Sequence, residues 1–251
     1  MARKRISIDR KKILEHEVDI MINRFRKEFD FKIEPIPNSF RKAEELGIFI
    51  ISIPAPDNFS GLTMSDHEDT MIVTNSNTTL GRQNFSIWHE VYHWYAKDGK
   101  SISYFKDADY DEIEYKADYF SSEILMPREL VLYELKKIKR DGKNIQYLSY
   151  ADLCRLQNLF QVSCMAMLTR IINITGASDE LRNRYSKASD KTKARNLNIE
   201  NGFNGLLEEN TNPYITAKFF DYISSNLNNG RISNISAEKI IKSIEEAFNN
   251  E

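Results

Sequence analysis

Phe85-Ser-Ile-Trp-His89-Glu90-Val-Tyr-His93 joins a helical spacing of apolar side chains to a His-Glu-x-x-His pattern. Phe85, Trp88, Val91, Tyr92 and Tyr95 are placed to anchor a helix from about Gly81 to about Lys97, with Asp98-Gly99 as its stop. On such a helix His89 and His93 lie one turn apart on one face. Both imidazoles can then share one metal ion, while Glu90 between them reaches a water bound to it. Histidine is scarce in this chain, which has only His16, His67, His89 and His93.

A catalytic zinc takes three protein ligands and keeps one position for water. One zinc per chain is expected, with its third ligand on a neighbouring element. The next predicted helix, from about Asp109 to Leu125, offers Glu112, Glu114, Asp118 and Glu123. Glu114 and Asp118 are one turn apart and face the same way. Glu112 and Glu123 lie about 200° and about 180° around the helix from Glu114. The pattern suggests Glu114 as the third ligand. Asp118 would accept a hydrogen bond from the outer nitrogen of a ligand histidine and so fix its tautomer.

The most apolar run, Ile48-Phe-Ile-Ile-Ser-Ile53, closed by Pro54 and Pro56, predicts a buried strand. Gly61–Ser65 and Met71–Asn75, on either side of the polar loop Asp66–Asp69, predict a hairpin. Residues 9–30 read as a helix, and Ser39 is placed to cap a short one that ends at Gly47. Pro127 breaks the second acidic helix and opens another, to about Lys139. Ser149 and Ser163 are N-caps for a helix pair with a tight turn at Gln161-Val162. Residues 176–215 are polar and read as a linker, and a broken helical stretch follows from about Pro213 to Asn249. The expected class is α+β, mostly helical, with a small β-sheet packed on the His-Glu-x-x-His helix and a helical C-terminal region. The expected units are 1–46 (N-terminal helical segment), 47–140 (metallopeptidase core), 141–175 (helix pair completing it) and 176–251 (linker and helical C-terminal region).

Composition narrows the function classes. The chain has 251 residues, 41 % hydrophobic and 29 % charged, enough for a real core and against wholesale disorder. Lys plus Arg number 35 against 37 Asp plus Glu, so the net charge of −2 disfavours a globally basic nucleic-acid binder. The helix pair at 148–174 has the outline of a DNA-reading motif, but its second helix is apolar with Arg170 as its one base, which fits packing. Six basic residues in Arg182–Arg195 read as a solvated run. No apolar stretch is long enough to span a bilayer, and none follows the basic N-terminus. The two cysteines, Cys154 and Cys164, form no CxxC pair, so a reducing cytoplasm is expected.

The two motifs together, Phe85–His93 followed by Glu114-Tyr-Lys-Ala-Asp-Tyr-Phe-Ser-Ser-Glu-Ile-Leu-Met-Pro127, resemble the ImmA/IrrE family of zinc metallopeptidases. The Ile-Leu-Met-Pro ending is the most specific part, and Phe160-Gln-Val-Ser through Arg170 extends the likeness to residues 40–175. The resemblance implies a cytoplasmic endopeptidase that cleaves a helix-turn-helix transcriptional repressor and so releases a phage, mobile-element or stress regulon. It implies His89, His93 and Glu114 as zinc ligands and Glu90 as general base. Tyr92, Trp88 and Asp118 stand where the family usually carries Gly, Ala and Asn. A second donor to the oxyanion could come from Tyr92, Tyr95 or His67. The alternative class is a non-catalytic sensor that binds a repressor on a peptidase-like fold. In either class, residues 176–251 are expected to recognise the partner or restrain the site, with zinc chemistry independent of them.

Overall fold

Ile48–Ile53 forms strand β1, as its apolar run and the following prolines predict. The computed structural model describes residues 6–66, 69–97, 102–104, 112–140, 148–177, 181, 183, 185 and 190–249. β1 pairs in parallel with β3 (Asp69–Asn75), Ile48 opposite Thr70 and Ile53 opposite Asn75. β2 (Phe59–Asp66) completes the expected hairpin, antiparallel to β3 with Gly61 opposite Thr74. Two short strands were not legible in the sequence. β4 (Ile102–Tyr104) lies along β2, and β5 (Tyr214–Ile215) lies antiparallel to β1. Among the described residues the mixed sheet has the order β4-β2-β3-β1-β5.

Helix α3 (Leu80–Ala96) carries the His-Glu-x-x-His pattern and packs on this sheet. Ile87, Trp88 and Val91 of α3 share one apolar core with Ile48, Ile50 and Ile72. Burying each of these side chains is worth about 1.5–3 kcal/mol, so the sheet fixes the helix firmly. The Trp88 indole donates to Ser39 Oγ at 3.1 Å. Ser39 is therefore used by the core, and the cap of α2 (Ser39–Glu45) is Asn38, whose side chain accepts from the Arg41 amide at 3.0 Å. At the other end of α3, Lys97 adopts a left-handed φ of 53° and its amide donates to the His93 carbonyl. His67, the Asp98-Gly99 stop and the Asp109 start of the next helix lie outside the described residues.

Helix α4 (Glu112–Leu125) packs beside α3. Helix α1 (Ile8–Glu28) covers α4, burying Leu14, Val18, Ile22 and Phe25. Polar pairs run along the α1–α4 seam: Arg10 to Glu112, Tyr115 to Glu15, Lys116 to Glu17 and Tyr119 to Asp19. Helix α5 (Arg128–Arg140) follows, then α6 (Tyr150–Phe160) and α7 (Cys164–Thr175), capped by Ser149 and Ser163 as expected. Between α6 and α7, Gln161 takes a left-handed φ of 55°. Arg170 of α7 is buried, pairs with Glu123, and donates to the Met126 carbonyl at 3.0 Å. That bond ties α7 to the turn Leu125-Met126-Pro127, and the base faces inward.

The stretch read as a linker carries α8 (Lys191–Glu200), capped by Asp190, and a 3-10 turn at Leu206–Glu208. It also closes the N-terminus of α3, because the Leu80 amide donates to the Glu209 carbonyl at 2.8 Å. The Ile50 amide donates to Thr216 Oγ1 at 2.7 Å, locking β5 to β1. Two amphipathic helices follow, α9 (Ala217–Asn228) and α10 (Asn234–Asn249), separated near Gly230 at φ 68°. The fold is α+β and mostly helical. No helix among the described residues is long and apolar enough to cross a membrane.

Candidate active site

α3 presents His89 and His93 one turn apart, and α4 presents Glu114 and Asp118 one turn apart. Packing brings the two pairs together. His89, His93 and Glu114 are all buried, and their ligand atoms lie within 4.8 Å of one another. His89 Nε2 sits 3.2 Å from one Glu114 oxygen, and His93 Nε2 sits 3.7 Å from the other. His89 Nε2 is a buried atom that forms no hydrogen bond at this spacing. Two imidazoles and a carboxylate converging in this way are a donor set for a divalent metal ion.

The outer nitrogen of His89 is held as well. Nδ1 lies 3.0 Å from Asp118 Oδ1. Burial of the ring disfavours its charged form, but the nearby carboxylates of Asp118 and Glu114 outweigh that and push the His89 pKa up to about 10. The surrounding carboxylates thus favour positive charge at this point of the site. A metal cation would supply that charge.

Glu90 is fully buried between α3 and the sheet. Thr63 Oγ1 of β2 donates to Glu90 Oε2 at 2.7 Å, and Glu90 Oε1 makes no hydrogen bond. Gly61, two residues earlier on the same strand face, leaves the space that the carboxylate occupies. A Cβ there would lie 2.7 Å from Oε1.

A cleft of about 840 Å³ opens over this cluster. His89, Glu114 and Asp118 form part of its floor, with Lys11 and Glu15 of α1 and Met165 and Thr169 of α7 on its walls. The family model for IrrE N-terminal-like peptidases, M78, matches residues 43–171. That is more than half of the chain. The chain belongs to this family. No curated protein matches the sequence significantly. The M78 match runs from α2 to α7, so α1, β5 and helices α8 to α10 lie outside it. One of these added elements, α1, still contributes to the cleft.

The structure redirects one of the three candidate oxyanion donors. The Tyr95 hydroxyl donates to Glu28 at 2.8 Å and accepts from Arg24 at 2.9 Å, on the α1 side. Two residues beyond His93, it lies about 200° around the helix from that ligand. Tyr92 is buried, with its ring edge-on to His93 at 5.5 Å and against Phe120 at 5.8 Å. His67 lies outside the described residues. The sequence reading missed Thr63, Gly61 and Tyr115. The Gly-x-Thr spacing on a predicted strand was the available signal for the first two, since residues two apart share a face. Tyr115 lines the cleft and donates to Glu15, and burial and that carboxylate both push its pKa upward.

Proposed function

We propose that this protein is a zinc-dependent endopeptidase that cuts a helix-turn-helix transcriptional repressor in the cytoplasm. The observation that carries the reading is the buried convergence of His89, His93 and Glu114, with an unoccupied carboxylate oxygen of Glu90 one residue from a ligand. Membership of a peptidase family supports the reaction class. The repressor as substrate rests on the motif likeness given above.

His89, His93 and Glu114 would hold the zinc, which when bound polarises the scissile carbonyl and acidifies water. Asp118 keeps the His89 tautomer whose Nε2 lone pair faces inward. Glu90 Oε1 takes the proton of the attacking water and delivers it to the leaving amine. Burial of Glu90 keeps bulk water from competing for that oxygen.

The test is direct. Zinc-loaded protein is incubated with helix-turn-helix proteins encoded beside its gene, and intact masses are read. The native protein should yield two fragments whose masses sum to the repressor plus one water, and Glu90→Gln should yield none while keeping its zinc. If Glu90→Gln still switches on the repressed genes in cells, the binding alternative replaces the enzyme.

A further inference from the structure

Strand β2 meets Glu90 at two points. Gly61 and Thr63 are two residues apart, so they share the strand face turned toward α3. Thr63 is buried, and its hydroxyl donates to Glu90 Oε2 at 2.7 Å while lying 3.2 Å from the Glu90 carbonyl. Gly61 approaches from the other oxygen. A Cβ on it would stand 2.7 Å from Oε1 and 2.8 Å from Cγ of Glu90.

The carboxylate is therefore held asymmetrically. A glutamate's terminal torsion is broad and two-fold, so an unheld carboxylate samples many orientations. Here one oxygen is tied to a hydroxyl, and backbone on the other side limits rotation. The second oxygen is left without a hydrogen bond in a fully buried setting, where polar atoms normally have one. Such an atom marks strain, a group used in a reaction, or a place for a water or an ion.

We propose that Thr63 is a positioning residue for Glu90, and that Gly61 is required as the space in which the carboxylate stands. The Thr63 hydroxyl fixes Oε2 so that Oε1 is the oxygen offered to water. This deepens the endopeptidase reading and rests on it for its kinetic consequence. The geometric claim, that Thr63 sets the orientation of Glu90, stands by itself.

The experiment compares zinc-loaded native protein with Thr63→Val, which keeps the shape and suits a strand, and with Thr63→Ser, which restores the hydroxyl. Crystal structures of the three give the Glu90 carboxylate position. Glu90 should be unmoved in Thr63→Ser and rotated or split over rotamers in Thr63→Val. On a cleaved repressor, Thr63→Val should lose turnover about 10–100-fold with KM and zinc content unchanged, and Thr63→Ser should recover it. Gly61→Ala should displace Glu90 from the opposite side with Thr63 intact. An unmoved Glu90 in Thr63→Val, or native turnover in that variant, overturns the proposal. Absence of cleavage by the native protein would refute the endopeptidase reading instead, and the crystallographic comparison would still decide Thr63.

Discussion

Replacing Gly81 by Ala puts two opposing effects on one atom. Gly81 sits in the first turn of α3, where Ala is intrinsically favoured over Gly by about 1 kcal/mol. The added Cβ, however, would lie 2.6 Å from the Ser163 amide nitrogen, 2.9 Å from the Val162 carbonyl carbon and 3.1 Å from the Leu207 carbonyl oxygen. All three are backbone atoms, from the α6–α7 turn and the 3-10 turn, so no side chain can swing away. Overpacking of this kind costs about 1–3 kcal/mol when side chains can adjust, and the upper end applies against backbone. The net loss is about 2 kcal/mol, which for a chain of this size lowers Tm by about 4–8 °C. Thermal unfolding followed by circular dichroism, with the zinc content fixed, reads it. A Tm equal to or above that of the native protein would refute the close-packing argument and show that propensity wins.

Three further outcomes follow from the same geometry. In chelator-treated protein, His89 has a folded-state pKa raised from about 6.5 to about 10, so its stabilising contribution is full below pH 6.5 and lost as pH rises through 10. Tm of the metal-free protein should therefore fall over that window, and Asp118→Ala, which removes the largest raising partner, should flatten the fall. Asp118→Ala should also weaken zinc binding by about 10–100-fold in a competition titration, because His89 loses the bond that orients it. Truncation after Thr216 should keep a cooperative unfolding transition, whereas truncation after Ser178 should lose it, since the latter removes β5, the Thr216 clamp on Ile50 and the Glu209 cap on α3.

What could be read from the sequence was what local geometry dictates. His89 and His93 share a face because four residues make a turn, and Glu114 and Asp118 follow by the same rule. β1 and the hairpin were legible because an apolar run stopped by prolines has one reading. β4 and β5 were not, since three and two residues show no period and exist only by pairing with β2 and β1. Residues 176–215 read as polar linker because the partners of Glu209 and Ile215, the Leu80 amide and strand β1, are more than a hundred residues away. The setting of Tyr95 was hidden for a related reason. Its hydroxyl is used by Arg24 and Glu28 of α1, a packing partner that no local pattern reveals. Ser39 and Asn38 are equally good caps, and only the docking of Trp88 assigns Ser39 to the core. Thr63 and Gly61 needed β2 to be seated on α3 before either touched Glu90.

The central claim is that His89, His93 and Glu114 form one metal centre. Metal analysis of the purified native protein alongside His93→Ala and Glu90→Gln, after matched zinc loading and removal of free metal, tests it most directly. The native protein and Glu90→Gln should each hold one zinc per chain, and His93→Ala should lose it, with all three folded by circular dichroism. Equal zinc in the native protein and His93→Ala would contradict it.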